Sequence, residues 1–177
     1  MMLRSALAIA CLAAVPLPTA AHRPEGVVER CSGQSGASFP HAFTSRDNVV
    51  VGPLVLDGAG RFTDAETVRR FHGNKFPVLV AAGHRVTIAL SHRTRRYASL
   101  GYGPLPSHEL TARDGHRVVT FVSCDRKRAA SDVDGRPVTF WSGFVLTSRP
   151  RCVIMDVWVD RERTPRRAAI PLGRPCP

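Results

Sequence analysis

Four cysteines, Cys31, Cys124, Cys152 and Cys176, constrain this chain more than any other feature, because they form an even set in a sequence that opens with an export signal. Residues 1–21 run from a short positive start, Met1-Met2-Leu3-Arg4, through an apolar stretch from Ser5 to Val15. The breakers Pro16 and Pro18 and the small residues Thr19-Ala20-Ala21 follow. Charge, apolar core and small-residue cleavage site in that order are what the secretory machinery reads, and they place cleavage between Ala21 and His22. A membrane anchor needs roughly 20 apolar residues, and here two prolines interrupt the stretch well before that. The fifth cysteine, Cys11, falls inside the leader. Lipoprotein processing expects leucine three positions before the modified cysteine, and Ala8 stands there.

In an oxidising compartment four thiols imply two disulfides, with three possible connectivities. Strand geometry chooses among them. The runs Cys152–Val159 and Arg166–Leu172 form a predicted hairpin around Arg161–Pro165, which sets Cys152 opposite about residue 174. Gly173-Arg174-Pro175 then turns Cys176 back to it. The expectation is Cys152–Cys176 and, by elimination, Cys31–Cys124. A zinc site made of all four thiolates would call for CxxC pairs, which the sequence lacks.

Between the cysteines the chain is a series of short apolar runs: Val49–Leu56, Phe76–Ala81, Arg85–Leu90, Glu109–Arg113, Arg117–Ser123, Val138–Leu146, Cys152–Val159 and Arg166–Leu172. Asp-Gly turns at 57–58, 114–115 and 134–135 punctuate them. Pro53 removes a ladder donor and marks the first run as an edge strand. An odd loop centred on Gly83 pairs Val80 with Val86 and Val78 with Ile88, keeping their side chains on one face. A two-residue turn at Asp114-Gly115 pairs Leu110 with Val119. A loop over Thr147–Arg151 sets Phe140 against Trp158 and Phe144 against Ile154, in strands apolar on both faces and therefore central. Thr63-Asp64-Ala65-Glu66 fits a capping box for one short helix through Phe71. Phe140-Trp141-Ser142-Gly143-Phe144 is assigned to core packing. The expected fold is all-β: an antiparallel β-sandwich, immunoglobulin-like in outline, of about eight strands with one connecting helix. Its parts are a signal peptide at 1–21, a polar segment at 22–47 tethered at Cys31, and the sandwich at 48–177.

No catalytic kit stands out. Gly33-Gln34-Ser35-Gly36 lacks the spacing of a nucleophile elbow, and Ser142 falls mid-strand. His84 and His92, like His108 and His116, are eight apart, which is no ligand pattern, so they are expected as solvent-facing histidines at turn edges. Asp132-Val133-Asp134-Gly135 resembles part of a calcium loop, but Ala130 and Trp141 occupy the positions where ligands belong. It is assigned as a turn. No metal or cofactor is expected, and a hydrolase would need an Asp/His or Asp/Glu cluster that only the fold brings together.

Charge is the positive feature. The chain carries a formal +11, and removal of the leader with Arg4 leaves +10. All of its basic residues except Lys75 and Lys127 are arginine, a bias that accompanies abundant Ala, Gly and Pro and so reflects GC-rich codons. The surplus itself attracts polyanions in a salt-dependent way. For an exported chain these are anionic envelope polymers or lipid head groups, and no nucleic acid is expected. The basic clusters are Arg93/Arg95/Arg96 with Tyr97, Arg126-Lys127-Arg128, Arg149/Arg151, and Arg161/Arg163/Arg166/Arg167, all in or beside predicted loops. Arg93, Arg95, Arg96, Arg163, Arg166 and Arg167 are the candidate anion-binding residues.

The segments Lys75-Phe76-Pro77-Val78-Leu79-Val80, Gly83-His84-Arg85-Val86-Thr87 and Phe140-Trp141-Ser142-Gly143-Phe144-Val145-Leu146, with Arg151-Cys152, resemble small exported proteins of high-GC Gram-positive bacteria without assigned activity. The resemblance implies export and the C-terminal disulfide and supplies no functional residue. The expectation is a secreted or envelope-associated, non-enzymatic binding protein. The alternatives are a secreted hydrolase with a fold-assembled site and a protease inhibitor presenting the loop Thr147–Arg151.

Overall fold

A computed structural model describes residues 23–177; the leader lies outside the described residues. The chain is all-β, with antiparallel sheets and one short helix. Thirteen strands in three sheets replace the expected eight.

The first sheet orders β1 (Val27–Glu29), β8 (Val118–Val122), β6 (Arg85–Leu90), β12 (Arg151–Val159) and β13 (Arg166–Leu172). The second orders β2 (Val49–Val51), β3 (Leu54–Leu56), β5 (Val78–Ala81), β10 (Arg136–Trp141) and β9 (Ser131–Val133). The third is β4 (Gly73–Lys75), β11 (Phe144–Thr147) and β7 (Ala98–Gly101). Every pairing is antiparallel except that of β1 with β8.

All three sheets contribute to one core. Val86, Ile88 and Met155 come from the first sheet, Leu54, Val78 and Val80 from the second, and Leu100 and Val145 from the third, each essentially inaccessible to water. A second, smaller cluster lies on the opposite side of the second sheet. There Val55, Leu79 and Val138 meet Phe39, Ala42 and Phe43 of the N-terminal segment. This is why β3 and β5 read as unbroken apolar runs: alternate side chains enter different clusters, and both are dry.

Several expected pairings are corrected. β5 and β6 do not form a hairpin. Gly83, at φ +85°, turns the chain from the second sheet to the first. Val78 and Val80 share a core with Val86 and Ile88 without being bonded to them. The run Val49–Leu56 is itself a hairpin, bent at Gly52-Pro53, so that β2 is the edge and Pro53 belongs to the turn. Val138–Leu146 breaks at Ser142-Gly143 into strands of two sheets, so Phe140 does not oppose Trp158, nor Phe144 Ile154. A Cβ on Gly143 would overlap the Tyr102 ring, which fixes the break at glycine. Glu109–Arg113 is not a strand. It leads into a turn closed by Asp114, whose carboxylate accepts from the Thr111 N–H at 2.8 Å, and Val119 pairs with Ile88 instead of Leu110.

Other expectations fare better. β12 and β13 form the hairpin, with Cys152 opposite Pro171 instead of residue 174. Disulfides join Cys152 to Cys176 and Cys31 to Cys124. The helix, α1 (Ala65–Phe71), is capped one residue later than expected: the Asp64 carboxylate accepts from the Thr67 N–H at 2.8 Å. Thr63 instead bridges to Leu172. Asp134-Gly135 is the two-residue turn between β9 and β10, with φ positive at both residues, as the favoured hairpin turn requires. Residues 23–47 meet the body at more points than Cys31. β1 extends the first sheet, and the Arg23 guanidinium donates to the carbonyls of Asp160 and Glu162.

Candidate functional site

The basic run Arg126-Lys127-Arg128 lies in the connection from β8 to β9, immediately after Cys124, and local bonding holds that connection in shape. The Asp125 carboxylate accepts from the N–H groups of Lys127 and Arg128 at 3.0 and 3.1 Å and from Arg128 Nε at 2.8 Å. The Arg128 guanidinium bonded to it, followed by those N–H groups, keeps the Asp125 carboxyl below its ordinary value. From across the chain Gln34 clasps the same loop: its Nε2 donates to the Arg128 carbonyl, and its Oε1 accepts from the Ala130 N–H, both at 3.0 Å. The Cys31–Cys124 disulfide fixes Gln34 and the loop to each other, and Cys124 itself is fully buried. Three cationic side chains are thereby presented on a short, doubly anchored loop.

One side of this loop forms the rim of a cavity of about 290 Å³. Arg126, Arg136 and His84 bring nitrogen donors to it, and Gly52, Pro53 and Pro137 supply its apolar wall. Arg136 lies over the Phe43 ring at 4.3 Å, a cation–π contact that limits its freedom. Among the described residues neither Arg126 nor Arg136 has a carboxylate within ion-pair distance.

His84 is oriented from behind. Its Nδ1 lies 2.8 Å from Asp160 Oδ2, which leaves Nε2 as the ring's remaining polar atom. Asp160 is itself set by the Arg85 N–H at 2.9 Å. Partial burial pushes the Asp160 carboxyl up, but the Arg85 N–H, His84 and the Arg23 charge outweigh it and hold the group below its ordinary value. An aspartate–histidine pair beside a cavity is also half of a hydrolytic constellation. The other half is not assembled here. Ser123 Oγ, the hydroxyl that bonds the His84 main chain, accepts from the His84 N–H and donates to main-chain carbonyls and has no bond to the imidazole. Both members of the pair are about 40% exposed, which gives water free access.

The other side of the loop borders a groove of about 660 Å³ that contains Arg30, Gln34, Ser123, Arg128 and Cys31 of the disulfide. Ser123 lines this groove while bonding His84 of the first cavity, so the two depressions adjoin.

The six arginines singled out from sequence do not converge. Arg93 and Arg167 share a cavity with His92, but Asp156 stands in it, 3.6 Å from Arg167 Nε, and takes up part of the charge. Arg95 and Arg96 are exposed on a single helical turn, Thr94–Arg96. Arg163 is exposed in the β12–β13 loop, and Arg166 is bonded to Glu162. His84 and Arg136 were not among them, because no local pattern connects positions 84, 126 and 136. Among the described residues no three His, Cys, Asp or Glu side chains group as a metal site would need, and no helix is long and apolar enough to cross a membrane. No protein-family model, curated protein or solved structure matches the chain.

Proposed function

We propose that this is an exported, non-enzymatic binding protein whose ligand is an anionic group of the cell envelope or its surroundings, held in the cavity of His84, Arg126 and Arg136. The observation that carries this is that, among the described residues, no carboxylate pairs with Arg126, on a loop already held by Gln34 and a disulfide, or with Arg136 at the start of β10. Guanidinium forks match the oxygens of phosphate and carboxylate, and a preset loop loses little freedom on binding. The leader and the two bridges support secretion. Two five-stranded sheets sharing a core support a sandwich, with the β8–β9 loop and the β9–β10 turn carrying Arg126 and Arg136 to its binding edge.

Calorimetric titration of the oxidised chain with inorganic phosphate and with isolated cell-wall polymer, repeated in rising salt, tests the reading. Binding should weaken steeply with salt and fall at least about tenfold in Arg126→Ala/Arg136→Ala, the loss of roughly one charge-assisted contact. Absence of binding at low salt, or a double variant that binds like the parent, overturns it.

The Asp160–His84 pair supports a second reading, a hydrolase in which His84 takes a proton from water. Turnover of a nitrophenyl phosphodiester that disappears in His84→Ala would carry it. Binding without turnover assigns the cavity to recognition alone.

A further inference from the structure

We infer that the ligand is a linear polyanion that lies across the β8–β9 loop, with one anionic group in the His84/Arg126/Arg136 cavity and a neighbouring one in the Arg30/Arg128 groove. This rests on the anion-binding reading above and adds to it the chemical class and the direction of the ligand.

Three observations carry it. First, the loop contributes to two basic depressions, Arg126 to one and Arg128 to the other, and their linings are tied by the bond from the His84 N–H in the first to Ser123 Oγ in the second. The Cα atoms of residues two apart are separated by roughly 5–7 Å, a span that a chain with closely repeated charges can cover. Second, the charge continues. Arg30, like Arg126 and Arg136, has no carboxylate partner among the described residues, and Lys127, between Arg126 and Arg128 in the chain, is exposed. Of the nearby carboxylates, Asp125 pairs with Arg128 and Asp160 with His84, while Glu29 reaches towards Gly33 and Gly103. Third, the groove is about twice as large as the cavity, with Gln34 as a fixed polar residue inside it, so there is space for a continuing chain as well as a terminal group. A lipid surface fits less well. The strongly exposed aromatic side chains Phe62 and Phe71 belong to the α1 region, and the apolar groove that Phe71 lines with Phe144 and Leu146 has no residue in common with either basic depression.

Linking two weak subsites on one ligand makes the second contact intramolecular, so affinity rises with ligand length without any new kind of contact. The test uses inorganic orthophosphate, which is too short to reach both depressions, and long-chain polyphosphate on the oxidised chain, with vesicles of phosphatidylcholine and phosphatidylglycerol as a third arm. Long chains should bind at least about tenfold tighter per molecule than orthophosphate. The plot of log affinity against log salt should be steeper for them by about 0.7 for each added contact. Arg30→Ala should remove most of that advantage while leaving orthophosphate binding in the His84/Arg126/Arg136 cavity within about twofold. Arg128→Ala should do the same, with thermal unfolding checked because Arg128 bonds Asp125. Four results overturn the inference: equal affinity for orthophosphate and long chains, a length advantage untouched in Arg30→Ala, tighter binding to the vesicles than to polyphosphate, or no phosphate binding at low salt. The last also overturns the anion-binding reading; the first three leave it standing.

Discussion

The two disulfides sit in regions built for different purposes. Cys31–Cys124 joins residues 93 apart and ties the N-terminal segment to the loop that bears Arg126 and Arg128. Cys152–Cys176 joins residues 24 apart and closes the open end of the β12–β13 hairpin. Around the first bridge the polar contacts converge on a surface loop: Gln34, Asp125 and the exposed arginines. Around the second they converge on the body. Tyr97 donates to the Cys152 carbonyl, and beside the start of α1 the Thr63 N–H donates to the Pro171 carbonyl while the Thr63 carbonyl accepts from the Gly173 N–H. The contrast teaches that the first bridge shapes a surface while the second secures an end. Stability and binding should therefore respond separately to their loss.

The largest effect is expected from Cys31→Ser/Cys124→Ser. Loop-closure entropy gives about 5 kcal/mol for a loop of this length, a large share of the roughly 5–15 kcal/mol that holds a typical domain. Denaturant titration should show that loss, and the fraction still folded should bind anions more weakly, because the basic loop has lost an anchor. Cys152→Ser/Cys176→Ser should cost less, about 3 kcal/mol, with anion affinity of the folded protein unchanged. If the second pair of substitutions weakens binding as much as the first, the distinction between the two regions is wrong.

A smaller effect probes the ground beneath the cavity. Asp160 has a depressed pKa in the folded state, so its contribution is present above the unfolded value near 3.9 and is lost as pH falls through the folded one. Asp160→Asn should lower stability at neutral pH by about 0.5–1 kcal/mol, a figure reduced for the solvent exposure of the pair. The gap between variant and parent should narrow below about pH 4. A gap of constant size from pH 7 to pH 3, followed by thermal unfolding, would show that the bond to His84 contributes nothing through charge.

These elements also show where the sequence was readable. The β12–β13 hairpin was legible because two alternating runs flank a polar turn and both continue in one sheet. The alternation around Gly83 was misleading for a physical reason. Period two reports which side of a strand faces the core, and two strands facing each other across a core show the same pattern as two strands bonded side by side. β1, β4 and β9 are three residues each and carry little apolar signal, so nothing local marks them. The cavity was harder still. Arg126 stood out within a basic run, but Arg136 follows an ordinary turn and His84 an ordinary corner. They meet because β5 crosses to β6 at one end of the sheets and β9 turns into β10 beside it. Such convergence is a property of connectivity, which no residue announces.

The order of the disulfides along the chain has a consequence for how the protein is made. Of the four cysteines in the described residues, the first pairs with the second and the third with the fourth. A chain that crosses a membrane from its N-terminus delivers Cys31 and Cys124 while Cys152 is still behind. An oxidant waiting on the far side thus meets each native couple before a competing thiol arrives. For a chain exported in this way, both bridges can close in the sequence in which they emerge, with no reshuffling among these four sulfurs.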